Sequence, residues 1–473
     1  MNLRTVKPLI LLTLLLSMPF CHLLAGMTEK KGWEMEARIV ASIPEPKFPD
    51  RTFLVTDYGA VEGVVMYSGN CINKAIQACY NQGGGTVVVP AGVFFTGPID
   101  LKSNVCLHLS QGAVLKFSTN PEDYRPFVIS RWEGWDCINF HPLIYAYQQK
   151  NVAVTGHGIL DGQANETNWW PWKGKAEFGW RPGMVSQLWN GDKVSGRSRL
   201  DAMEQNEVPI SDRVMTVEDH LRPPFIQFYQ CKDVLISDIH IVNAPFWLIH
   251  PLLSENVIVR GVTMDSQGPN NDGCDPESSK NVLIENCTFN TGDDCIAIKS
   301  GRNKDGKRWN TPSENIIIRH CTMKNGHGGV VVGSEITGGC RFVWAEDCDM
   351  DSPLLDRMLR LKSNPLRGGK IENIFLRNIR VGECAEAVFR VEMKYEGVLS
   401  GPNMPEIRNV FLSNIVTRKS TYGLWIDGFE NVINVHNIQI RNCSFNNVAK
   451  PNVIVGAGKM LFENFRINDA LQK

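Results

Sequence analysis

The 473-residue chain has no excess of charge of either sign: 49 Lys and Arg stand against 50 Asp and Glu, a formal net charge of −1. A protein that lives by phosphate contacts concentrates cations on one face, so nucleic acid is not an expected partner. Compositional bias is missing as well. With 43% hydrophobic and 21% charged residues, the chain is neither disordered nor collagen-like, and it is long enough to bury a large core. Long apolar runs are also missing. The run from Pro8 to Pro19 is too short for a membrane span. It follows Arg4 and Lys7 with no acid between, and Ala25-Gly26 comes after it, which is the order of a secretory signal. Residues 1–26 are therefore expected to be an export signal, with the mature protein periplasmic, cell-surface or extracellular. Met18-Pro19-Phe20 lacks the small residues that precede a lipidated cysteine, which weighs against an anchor on Cys21.

What the sequence does have is a repeat. Asn256, Asn281, Asn315, Asn373 and Asn437 are each followed by apolar residues one, three, six and eight positions later, as in Val282, Ile284, Cys287 and Phe289 after Asn281. Asp233 and Phe342 head two more copies and Asn409 a nearly complete one. Offsets of one and three share a strand face, and the break to six and eight is a corner into a second strand facing the same interior. Starts fall 23, 25, 34, 27, 31, 36 and 28 residues apart from Asp233 to Asn437, which fits stacked coils with loop insertions. The expected fold is all-β, a single right-handed parallel β-helix. Cys287, Cys321, Cys348 and Cys443, four of the 14 cysteines, occupy the sixth position that other coils fill with Val or Ile, so they read as interior fillers rather than disulfides or metal ligands. The recurrent Asn reads as a ladder along the corner.

Ahead of the coils, 73–81 is expected to be a short helix with Ile76 and Cys79 on one side, followed by Gly83-Gly84-Gly85 and a strand. The expected organisation is a linker and N-terminal cap over 27–100 and a catalytic β-helix over 101–473. At 164–221 the repeat gives way to a polar segment carrying Trp169, Trp170, Trp172, Trp180 and Trp189. An excursion of that length is expected to be functional.

Three carboxylates stand out on the coils: Asp272 in Asn270-Asn271-Asp272-Gly273, and the pair Asp293 and Asp294 after Gly292. The 21 residues from Asp272 to Asp293 make one short coil, so the two are expected to stack at about 4.8 Å. Carboxylates so close do not all ionise together, which makes an acid and a base of one cluster. Both members of the adjacent pair can face the site only across a bend, which Gly292 permits. One coil on comes Gly326-His327-Gly328, and beyond it Arg360-Leu361-Lys362, two cations on one strand face that invite an anionic ligand. Taken singly, an Asp stack can hold Ca2+, a lone His is most often structural, and Arg-x-Lys is most often a solvated face.

The series Asn270-x-Asp272, Gly292-Asp293-Asp294, Gly326-His327-Gly328, Arg360-x-Lys362 resembles glycoside hydrolase family 28, the polygalacturonases. Asp57-Tyr58-Gly59-Ala60, Val89-Pro90-Ala91-Gly92, Leu101-Lys102-Ser103-Asn104 and Gly156-His157-Gly158 extend the resemblance over most of the chain. It implies that Asp293 protonates the departing glycosidic oxygen, that Asp272 and Asp294 activate water, and that His327 orients or tunes the acid. It also implies that Arg360 and Lys362 hold a galacturonate carboxylate, with Asn270 and Tyr395 on the same sugar. Asn271 departs from the Thr usual there, and 61–66 departs from the usual Gly-, Asp- and Thr-rich turn. Arg131-Trp132-Glu133-Gly134, Pro245-Phe246-Trp247 and the extra basic stretch 300–308 resemble exo-acting members, with Arg302 or Arg308 as ligands of the terminal sugar. The implied activity is inverting hydrolysis of α-1,4-galacturonosyl linkages from the non-reducing end, by a monomer without cofactor or metal. Rhamnogalacturonan or xylogalacturonan hydrolysis, a Ca2+-dependent lyase and a non-catalytic glycan-binding β-helix are the competing readings.

Overall fold

The computed structural model describes residues 27–67 and 69–473; the expected export signal lies outside the described residues. Parallel strands stack coil upon coil in a right-handed β-helix. One face runs in unbroken register from Thr52–Leu54 through Gly85–Val89, Val105–Leu109 and Lys150–Gly156 to Met460–Ile467. Parallel pairing thus starts at Thr52, within the segment expected to be linker and cap.

The repeat positions explain why the chain coils. Val257 and Val259 point inward and stack on Val282 and Ile284, which stack on Ile316 and Ile318. The residue at each repeat start takes left-handed backbone, with φ near 59° at Asn256, 56° at Asn281 and 60° at Asn315. This conformation is costly for most side chains and tolerated by Asn. The amides then bond from coil to coil: Asn281 Nδ2 donates to Asn256 Oδ1 at 3.1 Å, and Asn315 Nδ2 to Asn281 Oδ1 at 2.9 Å. Phe342 interrupts the ladder, and the atoms on either side of it, Asn315 Oδ1 and Asn373 Nδ2, are buried without hydrogen-bond partners. Cys287, Cys321, Cys348 and Cys443 are free thiols buried at the inner corner.

The helix over 69–81 (Gly69–Asn81) starts four residues before the expected position and seals the first coil with Ile72, Ala75, Ile76 and Cys79, all fully buried. The preceding segment is not slack. Apolar residues two after each repeat start, Ile317, Trp344, Phe375 and Phe411 among them, face outward from the same strands, and a helix over Glu29–Ser42 covers them with Trp33, Met35, Ile39 and Val40. Gly32 lets this helix approach: a Cβ there would overlap the Phe375 ring, and the Gly32 carbonyl instead accepts from Trp344 Nε1 at 3.0 Å. Among the described residues no helix is long and apolar enough to cross a membrane.

No coil strand lies between Asp161 and Ile226. This segment folds on the coil rim as short 3-10 turns and a helix over Gly196–Gln205, anchored by Trp169 and Trp170, both buried, and by Leu200, Met215 and Leu221 against Trp132 and Trp135. Trp189 remains exposed.

Asn281→Ala removes two ladder bonds and places Ala at positive φ. At about 1 kcal/mol per bond and about 1 for the backbone, it is expected to cost about 3 kcal/mol in denaturant unfolding. A loss under about 0.5 kcal/mol would show the ladder to be ornamental to stability.

Candidate active site

The stacking register decides which side chains meet. Cys274 pairs with Ile296, Ile296 with Val330 and Val330 with Leu359. Two residues earlier in each coil, Asp272 therefore stacks on Asp294, not on Asp293 as its 21-residue spacing suggested, and Gly273 N donates to the Asp294 carbonyl at 3.0 Å. Asp293 stands one position out and meets His327 of the next coil, with His327 N on its carbonyl at 3.1 Å and Nδ1 at 2.9 Å from its Oδ1. The expected bend is present between Thr288–Thr291 and Ile296–Ile298. Gly292 allows it because a Cβ there would collide with the Gly268 carbonyl. Asp272, Asp293 and Asp294 each bring one oxygen within 4.8 Å of the others.

Each acid has a basic partner. Lys299 Nζ is 3.6 Å from Asp272, His327 is 2.9 Å from Asp293, and Lys362 Nζ is 2.8 Å from Asp294. Lys299 also lies 3.6 Å from Asp275 and 3.3 Å from Glu335, under the Trp247 ring at 4.5 Å. Lys299 and Lys362 share one column, with Gly333 between them at φ 99°, where a Cβ would run into the Lys362 carbonyl. With a cation already at every carboxylate, the cluster suits protons and water better than a divalent ion.

The environments push the titrations apart. Burial, reinforced by the Asp275 and Asp293 charges, holds the Asp272 carboxyl well above the usual carboxylate range despite Lys299. Burial also raises Asp293, but the His327 charge and hydrogen bond, with Lys362 and Lys173, outweigh it and hold Asp293 low. Reciprocally, the Asp293 charge and hydrogen bond raise His327 to about 9. Asp293 and His327 thus hold one proton jointly up to mildly alkaline pH, with the imidazole its resting place.

Asn271, where the usual Thr is absent, braces the turn that carries Asp272. Its Oδ1 accepts from Ser266 Oγ at 2.6 Å and Gly268 N at 2.9 Å. Asn270 Oδ1 accepts from Lys173 Nζ at 2.7 Å and from the buried Arg222 at 2.8 Å. Tyr395 lies beside Arg360 and Lys362, with ring-to-cation distances of 5.6 and 5.4 Å; Arg360 is itself bound to Glu392 at 2.7 Å. Two of the expected ligands stand elsewhere. Arg302, just before the helix over Asn303–Trp309, stacks on Trp135 at 4.0 Å and pairs with Glu133, Glu335 and Glu396, and Arg308 is held by Asp136 and by Asp305 of its own helix.

The carboxylate trio opens into a cavity of about 290 Å3 that also includes Lys173, Arg197, Lys299, Glu335 and Glu396 in its lining. Ion pairs tie side chains from separate stretches of chain together at this lining. Arg197 bonds Glu133 at 3.1 Å and Glu396 at 3.5 Å, and Arg367 bonds Glu396 at 2.9 Å.

The sequence profile of glycosyl hydrolases family 28 matches residues 191–421. A solved exopolygalacturonase of Thermotoga maritima is 40% identical, superposes with a TM-score of 0.89, and the match covers 93% of this chain and 97% of that one. The chain belongs to family 28. An exo-poly-alpha-D-galacturonosidase of Dickeya chrysanthemi is 30% identical over 72% of this chain and 57% of its own length, and a curated Vitis vinifera relative is 29% identical over 63% and 54%. The chain thus spans little more than half the length of these two relatives. A family 28 exopolygalacturonase of Yersinia enterocolitica, 22% identical with a TM-score of 0.67 over 88% of this chain and 76% of that one, shares the fold.

Within this family 28 site, Lys299, Lys173, Asp275, Glu335 and the Glu133–Arg197 pair are additions to the residues expected from sequence. Lys299 was within reach: it alternates with Ile296 and Ile298 just as Lys362 alternates with Leu359 and Leu361. Lys173 and Arg197 carried no signal, since they lie outside the repeat.

Asp293→Asn and Asp272→Asn are each expected to lower turnover at least about a hundredfold while leaving thermal melts nearly unmoved, and near-normal turnover of Asp293→Asn would remove it from the chemistry. His327→Gln tests the shared proton. Without the imidazolium, Asp293 loses its proton at lower pH than the pair does, so the alkaline limb of the rate profile, set in the parent protein by loss of the pair's proton near 9, is expected to move to lower pH. An unmoved limb would assign it to another group.

Proposed function

We propose that this family 28 glycoside hydrolase is an exported, monomeric exo-polygalacturonase that releases single galacturonate units from the non-reducing end of α-1,4-linked polygalacturonate. The observation that carries the reading is the set of ion pairs that joins Glu133, Arg197 and Glu396, from three separate stretches of chain, in the cavity lining. A groove open at both ends accepts the middle of a polymer, whereas a cavity with the Glu133, Arg197 and Glu396 ion pairs standing in its wall suits a chain end. The names of the Thermotoga maritima and Dickeya chrysanthemi relatives support the same reading, and the order of residues 1–26 supports export.

In the proposed mechanism the Asp293–His327 pair delivers its proton to the leaving oxygen while Asp272 and Asp294 together hold the attacking water, whose proton passes to the Asp294 carboxylate. Carboxylate oxygens within 4.8 Å of one another are closer than the roughly 6.5–9.5 Å usual for inverting pairs. The partners favour inversion nonetheless. Lys362 binds Asp294 Oδ2 and Lys299 lies 3.6 Å from Asp272 Oδ2, which leaves Asp272 Oδ1 and Asp294 Oδ1, both buried and without a hydrogen-bond partner, as two acceptors for one water. A water can bridge the two.

Incubation with homogalacturonan is expected to yield monogalacturonate from the first minutes with little loss of viscosity, unchanged by EDTA, and with the β anomer dominant in early proton NMR. Rapid viscosity loss would reject the exo mode, an early α product would reject inversion, and an EDTA-sensitive unsaturated product would establish a lyase. Faster release from rhamnogalacturonan or xylogalacturonan would reassign the substrate within the family.

A further inference from the structure

Lys173 closes the 3-10 turn Trp170–Lys173, in the segment that interrupts the coils. Its backbone is pinned on both sides. Trp170 Nε1 donates to the Ala244 carbonyl at 3.0 Å, Trp169 packs edge-on to Trp172 at 4.8 Å, and Gly174 follows at φ 83°, where a Cβ would stand 2.6 Å from Ser186 Oγ. From this fixed base the ammonium reaches into the cavity beside the catalytic carboxylates and donates to Asn270 Oδ1 at 2.7 Å. That oxygen also receives a hydrogen bond from Arg222, so a cation and not an acid stands behind it.

The other cations of the cavity are compensated within the protein. Lys299 has Asp272, Asp275 and Glu335, Lys362 has Asp294, Arg197 has Glu133 and Glu396, and Lys175 has Glu177. Among the described residues, Lys173 has no carboxylate within ion-pair distance. Burial lowers its pKa, more than the charges of Glu133 and Asp293 raise it. A half-buried ammonium without a counter-ion is destabilised until a ligand supplies one, and a carboxylate does so through a short charge-assisted hydrogen bond.

We propose that Lys173 is the residue that recognises the carboxylate of the sugar bound in the cavity beside Asn270, so that the interrupting segment supplies the charge selectivity of the site as well as part of its wall. The proposal rests on the exo-polygalacturonase reading above. Because Lys173 reads a group present in both ground and transition states, it acts on binding more than on turnover.

The test compares Lys173→Met and Lys173→Arg with the parent protein on trigalacturonate, with free galacturonate and free galactose as inhibitors. Lys173→Met is expected to raise KM and the galacturonate inhibition constant at least about tenfold while kcat stays within about threefold, to leave galactose inhibition unchanged, and to flatten the salt dependence of KM. Lys173→Arg, which keeps the charge, is expected to stay within about threefold of the parent in KM. A Met variant with KM within about twofold of the parent overturns the proposal. So does an Arg variant as impaired as the Met one, or a fall confined to kcat. A parent protein that releases no galacturonate at all overturns the functional reading instead, and that outcome is visible before any variant is made.

Discussion

Everything at this site depends on the hydrogen-bonded register between successive coils. Strands stacked about 4.8 Å apart place equivalent residues of neighbouring coils side by side, and a left-handed residue at each repeat start, most often Asn, resets the direction of the chain so that the register does not drift. Because the coils differ in length, from 23 residues between Asp233 and Asn256 to 36 between Asn373 and Asn409, the extra residues leave as loops. The strands therefore stay aligned while the loops become free to build a site. Asp272, Asp294 and Lys362 are far apart in sequence and adjacent in space for this reason.

The register creates an electrostatic problem that the same register resolves. Three acids with oxygens within 4.8 Å of one another, two of them buried, repel strongly in a medium of low dielectric. Lys299, His327 and Lys362, each delivered by a strand or turn of the same stack, offset that repulsion one acid at a time. The compensation is uneven, and the unevenness is chemically useful. Asp293 shares a proton with an imidazole at the rim, whereas Asp272 sits deeper beside Asp275 and holds its own proton more tightly, so identical residues titrate differently because their environments differ.

A β-helix alone offers a sheet face and an open groove. The segment between Asp161 and Ile226 changes that by laying Trp169, Trp170 and Trp172 against the rim and directing Lys173 and Arg197 over the cavity. Its aromatic residues do the anchoring and its cations face the ligand, so a stretch with no regular sheet carries both the wall and part of the recognition. The helix over Glu29–Ser42 plays a quieter part on the opposite side, covering the outward apolar row that Trp344, Phe375 and Phe411 would otherwise expose.

By itself the sequence determined the coil architecture, the inward faces, the buried thiols and the Asn ladder, because each follows from a period that repeats from coil to coil. It also singled out Asp272, Asp293, Asp294, His327, Arg360 and Lys362, since charged residues on strands of such a repeat are few and ordered. The tertiary structure alone decided that Asp272 stacks on Asp294, because the one-residue difference between chain spacing and strand register depends on the bend after Gly292. It also decided that Arg302 and Arg308 are taken up by ion pairs with Glu133, Glu335 and Asp136 and do not line the cavity, and that Lys173 and Arg197 do. Residues outside the repeat have no period to place them, and their positions follow from packing and charge pairing with distant parts of the chain.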